Sequence, residues 1–309
     1  MCYSSQIESA YHRYLRETGA EMDLEQFTEI YGFSATDSTV RIPRAVDRWF
    51  DAPDSEAGRR IQALIGERNA AMTAKLTTEI FRQRRRLADA ERALATRPTK
   101  KAAEDQRIAT SKIEQSLRRL PLYQGTAPTA LDDRIFPFHY APIVIAENGR
   151  RVLRLARYHC RQAHQPASID KERDGLYNAR RDNLERFWRR EFGSSHALLL
   201  AWSFFENVKR EGRNVVLQFR PRPLQLMRIA CLYASWTDPA DGRKLLSFAV
   251  VTDAPPEEIA AAGHDRCPVN LTAAAAEQWL APQGQPASAL QALLDERERP
   301  YYTHEVLAA

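Results

Sequence analysis

The chain begins MCYSSQ, and a cysteine directly behind the first methionine puts two nucleophiles in one place. Cysteine is small enough for aminopeptidases to remove a methionine in front of it. Cys2 would then carry a free α-amine and a thiol on adjacent carbons. Taken alone, it is also compatible with a terminal residue of no consequence. Three polar spots downstream interrupt apolar or turn-like contexts: GLYNARRD (175–182), FFENV (204–208) and GHDRCPV (263–269). Glu206 closes a long apolar run, where partial loss of water favours the neutral carboxyl and raises its pKa toward the general acid/base range. The competing reading is an exposed glutamate at a strand end. His264 lies in a loop behind Gly263 and ahead of Pro268, a placement suited to an accessible imidazole or to an ordinary loop histidine. Asn178 by itself reads as a turn residue.

The stretch RQRRR contributes Arg82, Arg84, Arg85 and Arg86 to a strongly charged segment. It is either a solvated arginine face or a patch that contacts phosphates. No GxxxxGK[ST], GxGxxG, HExxH or GxSxG pattern occurs. The stretch YHCRQAH (158–164) places His159, Cys160 and His164 together, but a metal would need a further ligand that nothing obvious supplies. No metal or cofactor is expected.

Positioning these residues requires two textures of chain. Residues 6–16 carry Ile7, Tyr11, Tyr14 and Leu15 at helical spacing, Asp23 can cap a helix through Phe27, Ile30 and Tyr31, and residues 41–51 show a third short apolar face. From residue 55 a single stripe runs through Ile61, Leu64, Ile65, Met72, Leu76, Ile80, Leu87 and Leu94. It breaks at Pro98 and resumes through Ile108, Ile113, Leu117 and Leu120, which predicts two long antiparallel helices in a projecting hairpin. Beyond residue 121 the runs become strand-like: 142–148, the segment after Gly149, 196–208, 214–220, 226–236 and 245–254. Hairpin-length gaps such as KREGR and DPADGR separate several of them. Helical patterns at 181–192 and 272–280 interrupt the strands. The fold class is therefore α+β: an antiparallel, barrel-like sheet with flanking helices and an inserted long helical hairpin.

The 309 residues are 44% hydrophobic and 28% charged, ordinary values that exclude global disorder and allow one large domain or two ordinary ones. No run reaches the roughly 18 apolar residues of a membrane span, and no signal-peptide pattern opens the chain. The reading is an intracellular, cytoplasmic protein with no membrane partner, nucleoid-associated if bacterial. Four scattered cysteines signal no disulfide framework. The net charge of +5 favours polyanions if the arginines gather on one face.

Taken in order, Cys2, NAR with a following acidic residue, an apolar strand ending in FE, and HxRxP behind a VVT strand resemble the SOS-response-associated peptidase (SRAP) domain, abasic-site-processing proteins that crosslink to DNA. The resemblance covers residues 1–18 and 131–282. It leaves 19–130 as a helical insertion and 283–309 as a C-terminal tail. It implies an active site of Cys2, Asn178, Glu206 and His264. Its partner would be single-stranded DNA containing abasic sites. The aldehyde of a ring-opened abasic site would condense with the Cys2 amine to an imine, and the thiol would close on the imine carbon to a thiazolidine. On this model Glu206 shuttles protons, Asn178 holds the amine or sugar hydroxyls, His264 assists ring opening, and Arg180 and Arg266 contact phosphates. The chain departs from the family pattern at Tyr3 and Ser4, where Gly-Arg is usual, in lacking a Trp-Gly-x-x-Pro segment, and in the insertion itself. The insertion could extend the DNA surface through Arg82 to Arg86, recruit a protein partner or self-associate. Two other functions fit the same residues: a non-catalytic DNA- or protein-binding module, and a cysteine-type peptidase acting on its own leading peptide.

Overall fold

The computed structural model describes residues 3–125, 129, 131–210 and 212–307. The strands are β1 (Ser4–Ile7), β2 (Glu21–Met22), β3 (Arg134–Ile135), β4 (Tyr140–Glu147), β5 (Arg150–Tyr158), β6 (Asn178–Arg180), β7 (His196–Arg210), β8 (Arg213–Arg222), β9 (Met227–Thr237), β10 (Lys244–Asp253), β11 (Cys267–Pro268) and β12 (Tyr301–Val306). The α-helices are α1 (Tyr11–Thr18), α2 (Leu24–Thr36), α3 (Arg44–Asp47), α4 (Glu56–Thr96), α5 (Lys100–Arg119), α6 (Ile169–Glu172), α7 (Arg189–Phe192), α8 (Glu257–Ala261), α9 (Ala273–Trp279) and α10 (Ala287–Leu293).

Five strands close a ring. β5 pairs with β4, β4 with β7, β7 with β9 and β9 with β10, all antiparallel, and β10 returns to β5 in parallel. A ring with an odd number of strands cannot alternate direction throughout, so one parallel pair is obligatory. The barrel is thus mixed rather than purely antiparallel. β7 is long enough to serve two sheets. Its first half belongs to the ring, and its second half pairs with β1 on one edge and β8 on the other. Because side chains alternate along a strand, Ala197, Leu199, Ile229, Cys231, Phe248 and Val250 join one core cluster and Leu198, Leu200, Ala230, Leu232, Ala249 and Val251 join another. The first cluster includes Phe27, Ile30 and Tyr31 of α2, and the second includes Trp279 of α9 and Leu290 and Leu293 of α10. Burial on both faces explains the near-continuous apolar runs of β7 and β10.

Two local expectations change. Of the helix expected over 6–16, residues 6 and 7 instead close the strand 4–7, because β7 and β3 supply partners on both edges, and the helix begins only at Tyr11. Residues 181–192 form a 3₁₀ turn and the short α7 with turns between them rather than one helix. Residues 301–306, within the segment read as a tail, pair with β8 along its length.

The helical hairpin is present as α4 and α5. Its 41-residue first arm is about 60 Å long at 1.5 Å per residue. Thr99 caps the second arm, its hydroxyl accepting from the Ala102 amide at 3.1 Å. Leu76, Gln83 and Ala90 recur every seven residues on α4, as do Ala102, Ala109 and Ser116 on α5, and all six are buried. The small side chains let the arms approach closely.

The base of α4 is tied down by charge. Asp47 accepts from Arg68 Nη2 at 2.6 Å, Arg68 Nη1 at 3.2 Å and the Tyr31 hydroxyl at 2.9 Å, all three residues being buried. Burial pushes the Asp47 carboxyl up, against the opposing pull of Arg68. Removing one partner of a buried pair strands the other. Arg68→Met is therefore expected to lower unfolding free energy by about 3 kcal/mol, read by urea denaturation, with most of the loss regained in Arg68→Met/Asp47→Leu. A single-variant loss no larger than that of a surface substitution would show that the pair does not anchor the insertion.

Candidate active site

The second half of β7 carries the acidic centre. Phe204, Glu206 and Val208 point to one face and are all buried, Glu206 completely. A carboxyl in an apolar row loses hydration that the ionised form needs, and burial raises its pKa. The sequence reading of Glu206 as an exposed strand-end residue is thereby excluded.

His264 reaches Glu206 through a turn. After α8 the chain reverses at Gly263, whose φ of 98° lies in the left-handed region where a side chain is strained. A Cβ placed there would touch Val208 on β7 at 3.9 Å, so the turn lies directly against the strand. His264 Nε2 stands 3.1 Å from Glu206 Oε2. Its other nitrogen, Nδ1, lies 3.0 Å from the Arg266 carbonyl and 3.3 Å from the Arg266 amide. Both tautomers are therefore accommodated. With Nδ1 accepting from the amide, Nε2–H donates to a carboxylate; with Nδ1–H donating to the carbonyl, Nε2 accepts from a neutral carboxyl. The two states differ by one proton, and with Nδ1–H held by the carbonyl the proton between Nε2 and Oε2 can sit on either atom without rearranging the surroundings.

The beginning of the described chain is stitched beside this pair. Ser4 and Ser5 stand opposite Phe205 and Phe204, and the Tyr3 amide donates to the Phe205 carbonyl at 3.2 Å. Tyr3 is thus bonded to the residue immediately before Glu206. Cys2 itself lies outside the described residues. Asn178 is buried at the start of β6, which runs parallel to β10 with Asn178 opposite Val250. β11, downstream of the His264 loop, pairs with the same strand at Thr252 and Asp253. The geometry brings Glu206 and His264 into contact and places Asn178 on the neighbouring β6–β10 pair.

The arginines divide. Arg180 is exposed and chelates Asp182 at 3.1 and 2.6 Å, while Arg266 is mostly buried, 3.9 Å from the same carboxylate. Both remain close to the histidine loop. On the hairpin, Arg82 pairs with Glu79 and Arg86 with Asp105 at 2.5 Å, whereas Arg84 and Arg85 are exposed with no ion pair among the described residues. The stretch 158–164 is structural. His159 is buried, its Nε2 3.1 Å from the Arg173 carbonyl and its ring stacked on Phe138, and burial raises the Cys160 thiol.

Arg134 was not legible in the sequence. From β3 it donates Nε and Nη2 to the Ser4 hydroxyl at 3.0 and 2.9 Å, and its guanidinium lies 3.7 Å from the centre of the Phe205 ring. Ser4, where the sequence departs from the family pattern it resembles, holds an arginine from another strand. Only the pairing of β1 with β3, across about 130 residues, reveals it.

Abasic site processing protein YoqW of Bacillus subtilis (strain 168) and the protein of the same name from Bacillus phage SPbeta are each 29% identical over 122 residues, 38% of this chain and 54% of theirs. The chain thus spans about half the length of these curated relatives. A crystal structure of a Bacteroides thetaiotaomicron protein superimposes with a TM-score of 0.49 at 16% identity, covering 57% of this chain and 78% of that one. One from Bordetella bronchiseptica gives 0.47 at 18% identity, covering 62% and 95%. The model of the family described as SOS response associated peptidase (SRAP) matches residues 96–308, more than half of the chain, and the protein belongs to that family.

Proposed function

We propose that the protein acts at abasic sites in DNA and attaches covalently to them through Cys2. The observation that carries this reading is the Glu206–His264 contact, a buried carboxyl and an imidazole sharing one proton site next to Tyr3, which leads into β1. The name of the Bacillus relatives, abasic site processing protein, supports the choice of substrate.

In the closed sugar, His264 takes the proton of the anomeric hydroxyl while the bond from that carbon to the ring oxygen breaks, and it passes that proton on to the ring oxygen, so that ring opening is a net isomerisation. The freed aldehyde meets the Cys2 amine, whose unperturbed pKa of about 7.7–8.0 leaves a substantial neutral fraction near pH 7 to 8. Glu206 accepts a proton from the attacking nitrogen and returns one to the departing hydroxyl, so one water leaves and an imine forms. The thiol then adds across the C=N bond, sulfur to carbon and hydrogen to nitrogen. The product is a thiazolidine, and the net change is loss of one water. Asn178 holds the amine or a sugar hydroxyl, and Arg180 and Arg266 exchange Asp182 for a phosphate.

The test is incubation with an oligonucleotide whose single uracil has been excised by a glycosylase. Intact mass first establishes that Met1 has been removed. A slow-migrating species that survives boiling in detergent is expected, and none with a tetrahydrofuran analogue, which has no aldehyde. Methionine-free protein that leaves the abasic strand free would overturn the covalent reading and leave a binding module.

A further inference from the structure

The insertion and the barrel enclose a groove that the site chemistry does not use. It consists of two continuous cavities, of about 620 and 420 Å³, that share Arg41, Pro137 and Phe138. One end opens at Tyr3, Arg134 and Phe136, beside the start of β1, and the other ends at Trp236, Arg243 and Lys244. Arg41, Arg44 and Arg119 come from the inserted segment, and the opposite wall comes from the strands and loops of the barrel.

The lining is cationic after its internal pairs are counted. Asp47 is committed to Arg68, and one carboxylate, Asp170, serves both Arg157 and Arg161. Asp37 lies 4.0 Å from Arg243. Asp174 is the remaining lining carboxylate. Arg41, Arg119, Arg134 and Lys244 form no ion pair among the described residues. The guanidiniums of Arg41 and Arg119 both press on His139, which burial and these two charges together hold at about 4. The imidazole is therefore neutral at pH 7, and the two guanidiniums converge on one wall.

Aromatic faces are interleaved with these charges. Phe138 occupies the pass between the cavities at a φ of 70° and is 39% exposed, its ring stacked on His159 at 4.4 Å with the Arg157 guanidinium 5.4 Å from its centre. Tyr3 is 38% exposed and meets Phe136 edge-on at the near end. Arg161 covers Trp236 at the far end. Unpaired cations that track a phosphate backbone, with ring faces on which unstacked bases rest, are the two components of a single-strand track. A duplex hides those base faces.

We propose that this groove seats the single-stranded DNA that flanks the reacting nucleotide, with the insertion forming one wall. The proposal rests on the reading of the site as acting on DNA. It assigns the inserted segment a substrate-binding role through Arg41 and Arg119, not through the arginines of the hairpin. Arg84 is sixteen residues beyond Arg68 on α4, about 24 Å further along the helix.

Binding is measured by fluorescence anisotropy with the full chain and a labelled twelve-residue oligothymidylate, which has no aldehyde and cannot crosslink. Arg41→Ala/Arg119→Ala is expected to weaken binding at least about tenfold and to reduce the slope of log affinity against log salt by about 1.4, the value for two lost phosphate contacts on a single strand. Arg41→Lys/Arg119→Lys is expected to keep most of both, and Arg84→Ala/Arg85→Ala to match wild type. The proposal is overturned by a groove alanine variant that binds like wild type, by an equal loss in the hairpin variant, or by polyglutamate of the same charge competing as well as the oligonucleotide. Adduct formation on the abasic strand is scored in parallel. Groove-dependent binding with no adduct sinks only the crosslinking chemistry, and an adduct with groove-independent binding sinks only the track.

Discussion

Cys2→Ser is expected to abolish the denaturation-resistant adduct while leaving affinity for intact single-stranded DNA unchanged. Both side chains leave the α-amine in place, so wild type and variant can each form the imine. They diverge at the second addition. A cysteine thiol with a pKa of about 8.5 supplies a few per cent of thiolate near pH 7, and sulfur is a strong nucleophile at that fraction. A serine hydroxyl supplies essentially no alkoxide, and the imine returns to amine and aldehyde by hydrolysis. Adding borohydride to the serine variant is therefore expected to restore a stable band by reducing the C=N bond to an amine. That rescue separates loss of the second nucleophile from loss of the site. Tyr3 and Ser4 keep their pairing with β7 in either protein, so the strand that leads to the site is not the variable. A serine variant that gives the same stable adduct without reductant would exclude the thiazolidine. A serine variant that gives no band even with borohydride would place the thiol, not the amine, at the first step.

How far the sequence reached depends on whether a signal was local. The runs at 142–148, 196–208 and 245–254 are strands because near-continuous apolar runs suit elements buried on both faces, and the two core clusters divide their apolar residues by parity. Pro98 marks the hairpin tip because it cannot continue a helix, and Thr99 stands ready to cap the next one. The partners of short elements were not legible. Ile7 fits the helical spacing of Tyr11, Tyr14 and Leu15, yet it closes the strand Ser4–Ile7 because edges of β7 and β3 are available. Tyr301–Val306 reads YYTHEV, which shows no clean alternation of apolar and polar residues, and it is a strand because β8 offers a free edge. The site obeys the same rule. The order of Asn178, Glu206 and His264 is visible in short motifs, but the 3.1 Å contact depends on a glycine turn lying against Val208. Arg134 and the groove join segments that are distant along the chain, and no pattern in either segment announces the other.

Glu206→Gln is expected to slow adduct formation by about a hundredfold, the low end of what a positioned acid/base group contributes. Glutamine keeps the shape and can still meet His264, but it cannot take the proton of the attacking amine. The pH dependence carries the sign. Burial raises the Glu206 pKa above the ordinary carboxylate range, so below that value the carboxyl is neutral and cannot accept a proton. The wild-type rate is expected to climb with pH as Glu206 ionises and to climb again as the α-amine loses its proton. The glutamine variant should lack the first limb and keep the second. Stability moves the opposite way. A group whose folded pKa is raised contributes stability fully below its unfolded pKa and loses it as pH rises through the folded value. Wild type is therefore expected to lose stability through a window just above the usual carboxylate range, where the variant stays flat and at neutral pH is no less stable. A structural glutamate would behave differently: its replacement would lower melting temperature and DNA affinity together and leave the shape of the rate profile intact. The pairing of a lost acid limb with retained or increased stability is what distinguishes a proton-transfer group in an apolar row from a buried polar residue that merely holds the turn at Gly263 in place.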